Sequence, residues 1–312
     1  MPTYLVTGGA GFIGSNIVRE LLDRAQTVRV LDNLATGKLE NLQDIQDRIT
    51  FFEADIRDLN QIRPAFEGVD YVLHQAAIPS VPRSVQDPVL STEANVNGTL
   101  HVLIAARDAG VKRVVMASSS SIYGANPELP KHEGMRPLPI SPYAASKLAN
   151  EAYCAAFHSV YGLETVCLRY FNVFGPRQDP KSQYAAVIPL FVNCMLKGER
   201  PLIFGDGEQS RDFTFVANVI HANLLAATAQ KGAGGAFNVA CGDSITLNQL
   251  VGYLNEIIGC NIEPVYKEER VGDVKHSLAD ISAAQEAFDY APQVDFRTGL
   301  EQAVAWYRRL FA

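Results

Sequence analysis

The chain has only five cysteines, Cys154, Cys167, Cys194, Cys241 and Cys260. Their number is odd and no two form a C-x-x-C pair. The scatter argues against a disulfide framework and reads as reduced core thiols of a cytoplasmic protein. The six histidines form no H-E-x-x-H and no His/Cys cluster, so no metal site is expected. Positive charge is also scarce. Lys and Arg number 27 against 34 Asp and Glu, a net charge of −7. Non-specific binding to nucleic acid or to an anionic membrane surface is therefore not expected, although a local basic pocket for an anionic ligand is compatible with that balance. No apolar run reaches the roughly 20 residues that span a bilayer. No charged-then-apolar leader precedes the first strand at Thr3, so no secretory signal is expected.

The composition is that of a globular chain: 312 residues, 47% apolar and 20% charged. The length suits one large α/β unit with a smaller lobe. Strands are expected at TYLVT (3–7), TVRVLD (27–32), ITFFEAD (49–55), VDYVLHQ (69–75), VKRVVMAS (111–118) and ETVCLRY (164–170). Helical patterns lie between them, notably FIGSNIVRELLDR, STEANVNGTLHVLIAARDAG and SPYAASKLANEAYCAAFHSVYG. This alternation predicts a doubly wound parallel sheet with helices on both faces. From about residue 171 the order loosens, punctuated by proline and glycine in NVFGPRQDP and GERPLIFGDGEQSRD. Residues 1–170 are read as one domain and 171–312 as a smaller, interwoven one. A helix at 214–229 and a strand at 236–240 are expected to return to the main sheet, and further helices are expected at 246–257, 279–288 and 296–310.

The first strand runs directly into TGGAGFIGS. Gly8, Gly11 and Gly14, with Phe12 and Ile13 inside the turn, stand between a strand and a helix. Glycine there allows a tight turn and lets backbone N–H groups approach a pyrophosphate at the helix N-terminus. Asp32, followed by Asn33, ends the second strand. An acid at that place accepts hydrogen bonds from the adenosine ribose and repels a 2′-phosphate, which argues for NAD over NADP. The fold expected is thus Rossmann-type.

A second motif, SPYAASK, places Tyr143 and Lys147 four residues apart on one helix face. An ammonium beside a phenol lowers the phenol pKa and makes a usable general base. Some twenty residues upstream, SSSSIYG puts Ser118, Ser119, Ser120 and Ser121 at the end of a buried strand, where a serine can share the substrate proton with Tyr143. The helix at 141–161 is apolar or small nearly all round, with Ala144, Ala145, Leu148, Ala149, Ala152, Tyr153, Ala155, Ala156 and Phe157. One face suits the sheet; the other suits either a partner helix or the chain's own second lobe.

Taken together, TGGAGFIG, the strand-end serine with Tyr-x-x-x-Lys, NVNGT (95–99), RYFNVFGPRQDP and RDFTFV resemble the extended short-chain dehydrogenase/reductases. Within that group the chain is most similar to the UDP-hexose and UDP-N-acetylhexosamine 4-epimerases, over nearly its whole length. The resemblance implies an NAD-binding Rossmann domain over 1–170 and a UDP-sugar domain over 171–312. It implies Ser119 and Tyr143 as the catalytic pair, with Ser120 beside them and Lys147 on the nicotinamide ribose. Asp55 and Ile56 would meet adenine, and Gln75, Ala76, Ala77, Asn95 and Tyr170 would line the cofactor cleft. Asn172, Arg211, Arg270 and Asp273 would hold UDP, with Val187 and Phe204 in the same substrate set. Two arginines suit a diphosphate through forked, charge-assisted bonds.

Related dehydratases carry acidic residues just before the Tyr-Gly, and related sugar-acid decarboxylases tend to carry a Glu there. This chain has Ser120 and Ser121, and a hydroxyl supplies neither a carboxylate base nor a carboxylic acid. Epimerisation or plain oxidation is left. The reading is a UDP-sugar 4-epimerase working through a 4-keto intermediate with no net redox change. A UDP-glucuronate 4-epimerase and a non-catalytic nucleotide-binding regulatory protein are the alternatives; the intact Ser119, Tyr143 and Lys147 weigh against the second. The family position matching Ser277 faces the sugar C2 substituent, where a small residue admits an N-acetyl group that Ser80 and Ser120 could bond. Alternatively Ser277 merely caps a following helix, S-L-A-D being a plausible capping pattern. A homodimer is expected through four-helix packing of 141–161 with 91–109.

Overall fold

The computed structural model describes residues 1–180, 186–269 and 275–311. Seven strands form one parallel sheet: β1 (Thr3–Thr7), β2 (Thr27–Asp32), β3 (Thr50–Glu53), β4 (Tyr71–His74), β5 (Arg113–Ser119), β6 (Glu164–Tyr170) and β7 (Ala236–Val239). Their spatial order is β7-β6-β5-β4-β1-β2-β3. The longer helices are α1 (Phe12–Asp23), α2 (Leu59–Phe66), α3 (Gly98–Asp108), α4 (Pro142–Tyr161), α5 (Val187–Leu196), α6 (Val216–Thr228), α7 (Leu247–Ile258), α8 (Ser282–Phe288) and α9 (Phe296–Phe311).

The strands are almost continuously apolar because both faces are covered. Tyr4 and Val6 of β1, with Val115 and Ala117 of β5, point into the core under α1 and α6. Leu5, Val114 and Met116 point the other way, under α2, α3 and α4. This is the two-residue period of a strand. Arg113, buried at the start of β5, fastens three elements. Its Nε and Nη2 reach the Glu164 carboxylate of β6 at 2.8 and 2.6 Å, and its Nη1 donates to the Ala226 carbonyl of α6 at 2.7 Å. The chain order reverses between β1 and β4, so a crevice opens at their carboxyl ends, where open α/β sheets bind ligands.

After β6 the chain forms short strand pairs: Val173–Phe174 with Thr214–Phe215, Ser210–Arg211 with Ile245–Thr246, and Leu202–Phe204 with Val265–Lys267. Phe174, Phe213, Phe215, Phe296 and Tyr253 pack as an aromatic cluster among them. That cluster is continuous with the core under α1. The returning segment splits in two: residues 214–215 pair as a strand before α6 begins, and β7 joins the free edge of β6.

Two helices differ from expectation. The stretch from 91 to 109 is helical as expected but carries a π turn at Glu93–Asn97, just before α3. The helix expected over 279–288 begins late, at Ser282, because Ala279 is held in a bridge with Lys131.

Candidate active site

The glycine turn has the geometry of a backbone cradle. Gly8 has φ +67°, and a Cβ there would lie 2.7 Å from the Ala76 amide nitrogen. A Cβ on Gly14 would collide with the Gly8 carbonyl. Any side chain at either position would force β1, the turn and α1 apart. The N-terminus of α1 is thus bare to an incoming diphosphate. Asp32 is buried beside this turn and accepts from the Ala10 amide at 2.9 Å and the Leu34 amide at 2.8 Å. Burial pushes its carboxyl up, and those amides pull against the rise.

A cavity of about 1140 Å³ opens from this turn. Phe12, Ile13, Asn33, Asp55 and Ile56 line it with the glycines and Asp32, as do Gln75, Ala76 and Ala77 and, from α4 and β6, Tyr143, Lys147 and Tyr170. Asn223 of α6 ties the floor, donating to Tyr170 at 2.8 Å and accepting from Gln75 at 3.1 Å. Asn95 departs from expectation. It is fully buried and stands behind the wall instead of lining it. Its amide exchanges hydrogen bonds with Ile78 at 2.7 and 3.1 Å and reaches Ser146 of α4 at 3.3 Å, so it pins the wall loop to the helix.

At the closed end, Ser119 is the last residue of β5 and Tyr143 lies in the first turn of α4, which Ser141 caps through the Ala144 amide. The Ser119 side chain acts on the Tyr143 phenol and lowers its pKa. The Tyr143 amide in turn donates to the buried Ser84 hydroxyl at 3.0 Å. Lys147 is buried one turn on, and its Nζ donates to the Ala117 carbonyl at 2.8 Å. Burial pushes the Tyr143 phenol up, and the Ser119 side chain pulls it down. Burial also lowers Lys147 to about 8. The expectation that Lys147 depresses the phenol is therefore corrected. Its nitrogen is turned to a backbone carbonyl, 5.8 Å from the Tyr143 ring centre, and the polarising partner in the protein alone is Ser119.

Behind the strand end lies a network that no local motif announces. Ser118 donates to Glu151 at 2.5 Å, and Glu151 takes Arg169 in a fork at 3.0 and 2.7 Å. Arg169 donates to the Tyr123 phenol at 2.9 Å, which donates to Asn238 of β7 at 2.7 Å. All five side chains are buried. Ser120 and Ser121 start a tight turn, half-buried, with no carboxylate at either position.

The expected substrate residues divide. Ser80 lines the cavity, holds the strained value φ +103° and caps the short helix Val81–Gln86. Arg270 and Asp273 lie outside the described residues. Asn172, Arg211 and Ser277 are drawn into one knot beyond the main sheet. Asn172 donates to the Asp212 carbonyl at 3.0 Å, Arg211 to the Lys275 carbonyl at 3.2 Å, and the Ser277 amide to the Ser210 carbonyl at 3.1 Å. Phe204 is joined to the same region through its carbonyl, which accepts from Gln209 at 2.6 Å. Val187 opens α5, with no described hydrogen bond to the knot. Ser277 does not start a helix. It sits on an extended strap between the bridges His276–Ser210 and Ala279–Lys131, and α8 begins only at Ser282.

A bare glycine cradle, a buried acid at the second strand and a Ser-Tyr-Lys cluster at one end of a long cavity define a dinucleotide-dependent enzyme. The family described as the NAD dependent epimerase/dehydratase family matches residues 4–240, and the chain belongs to it. Among similar solved structures is a UDP-N-acetylglucosamine 4-epimerase from Methanobrevibacter ruminantium in complex with UDP-N-acetylmuramic acid, 44% identical with a TM-score of 0.95 over 99% of each chain. A UDP-glucose 4-epimerase with UDP-glucose from Thermotoga maritima is 41% identical, TM-score 0.94, over 99% of this chain and 100% of that one. A Thermus thermophilus UDP-glucose 4-epimerase in complex with NAD is 40% identical, TM-score 0.89, over 98% and 99%. The cofactor of this chain is NAD.

Proposed function

We propose that this chain interconverts UDP-N-acetylglucosamine and UDP-N-acetylgalactosamine, and accepts UDP-glucose and UDP-galactose as well. The ground beneath the proposal is coarser: the chain is a UDP-sugar 4-epimerase. Gly8, Gly11, Gly14 and Asp32 would hold the adenosine diphosphate half of NAD, and Lys147 the nicotinamide ribose. NAD, when bound, supplies a hydride acceptor that is regenerated within each turnover. Tyr143, with Ser119 as its partner, takes the proton of the sugar C4 hydroxyl and returns it after the 4-keto sugar has turned over in the pocket. The UDP half, held by Asn172, Arg211, Arg270 and Asp273, keeps that ketone from escaping. Val187 and Phe204 complete the substrate wall. Without a carboxyl at Ser120 or Ser121, elimination of water has no acid or base to drive it.

The observation that carries the choice of sugar is Ser277. It stands on a strap bonded to Ser210, next to Arg211, and its side chain is too small to close a pocket against an acetamido group. Ser80 and Ser120 offer that group hydroxyls. The test is epimerisation of each UDP-sugar by wild type and Ser277→Tyr. Wild type should turn over both classes, and Ser277→Tyr should lower kcat/KM for the acetylated sugars by at least about tenfold while sparing the plain ones. An unchanged acetylated-to-plain ratio, or wild-type activity on plain hexoses or UDP-glucuronate alone, sinks the assignment. The chain is further read as a cytoplasmic homodimer.

A further inference from the structure

Asp212 is fully buried, follows Arg211 in the chain, and has no part in the chemistry described so far. Its two carboxylate oxygens gather three backbone donors from two distant segments. Oδ1 accepts the Cys241 amide at 2.9 Å, and Oδ2 accepts the Gly242 amide at 3.0 Å and the Ala279 amide at 3.2 Å. Cys241 and Gly242 form the turn that leaves β7, so one side of the grip is anchored to the main sheet. Ala279 lies on the strap, two residues after Ser277. The Asp212 carbonyl meanwhile accepts Asn172. Burial raises the carboxyl to about 6, so at neutral pH it is ionised and able to accept from all three amides.

We infer that Asp212 is a positioning residue for UDP-sugar binding: its carboxylate sets the distance between Arg211, on the diphosphate, and Ser277, on the sugar. Resting on the reading of Arg211 and Ser277 given above, the inference follows from connectivity. The strap meets the Arg211 segment through bonds at Ser210 and Lys275, which fix its near end. Its far end at Ala279 is fixed to that segment by the Asp212 carboxylate and to Lys131 by backbone bonds at Leu278 and Asp280 of 2.8 Å each. A single residue therefore ties the arginine arm, the strap and the sheet edge together. The three donors need two acceptor oxygens. An amide side chain keeps one oxygen and turns an NH2 toward the other donors, so Asp212→Asn breaks at least one side of the grip without removing bulk.

The experiment measures KM and kcat for UDP-sugars, NAD retained through gel filtration, and melting temperature, for Asp212→Asn, Asp212→Glu and Arg211→Ala. Asp212→Asn should raise KM for UDP-sugars roughly 10- to 100-fold, with kcat at saturation within about threefold and NAD content as in wild type. Asp212→Glu keeps the charge but displaces it, and should give an intermediate KM. If Arg211→Ala leaves KM unchanged, the reading of the site fails. If Arg211→Ala raises KM but either folded Asp212 variant keeps the wild-type value, this inference alone is overturned. A fall in kcat with KM unchanged, loss of NAD together with UDP-sugar affinity, or failure of both Asp212 variants to fold would assign Asp212 to the chemistry or to global stability and overturn it as well.

Discussion

Burial governs the character of Tyr143. Desolvation at the cavity wall raises the pKa of its phenol, and Ser119 is the group that opposes the rise. As the proposed base, Tyr143 is replaceable only by another proton acceptor at the same place. Tyr143→Phe should therefore lower turnover by roughly two to four orders of magnitude. NAD content should be unchanged, since Lys147 and the glycine cradle are untouched. Near-normal activity in the folded variant would remove Tyr143 from the mechanism. At this scale the sequence was informative where the partners are close in the chain. The glycine turn and Tyr143 with Lys147 each lie within one strand–turn–helix or one helical turn. It was silent where the partner is remote. Ser118 meets Glu151 across 33 residues and Asp212 meets Ala279 across 67, and no local pattern marks either. The direction in which Lys147 points was likewise invisible, because spacing places a side chain on a face without saying which acceptor on β5 it finds.

His74 shows how elements are joined beneath the cofactor cavity. It is the last residue of β4, and its ring bridges Thr7 of β1 at 2.6 Å and Thr99 of α3 at 3.0 Å. Burial, assisted by Lys147, lowers it to about 3, so it is neutral in the fold while the unfolded chain protonates it near 6.5. Between those values the unfolded state binds one more proton, and stability is lost as pH falls. The contribution is complete above about pH 6.5 and drains at up to about 1.4 kcal/mol per pH unit below it. Melting temperatures of wild type and His74→Gln should therefore converge as pH drops from 7 toward 5. A constant gap would mean that His74 carries its proton in the folded state. The strands around His74 were legible because each is apolar on both faces. The two-residue strands after β6 were not, since two residues carry no periodicity. The π turn at Glu93–Asn97 was hidden because the apolar pattern runs on through it.

On the scale of the molecule, α4 has a face that the described residues leave uncovered. Tyr153, Val160 and Tyr161 are exposed there, as are Val85, Val89 and Leu90 of the neighbouring short helices. The alternative of coverage by the chain's second lobe does not hold among the described residues. A patch of this kind fits a second copy through four-helix packing. Sedimentation should find a dimer at micromolar concentration, and Tyr153→Glu with Val160→Glu should give monomers; a wild-type monomer would disprove the proposed interface. The placement of β7 has a consequence for synthesis. β6 is complete at Tyr170, but the strand that covers its open edge begins only at Ala236. At about 5–20 residues per second, the ribosome leaves that edge unpaired for some seconds. For that interval the nascent chain displays a row of unsatisfied amides and carbonyls, and it is then, more than at any later time, that a chaperone has something to hold.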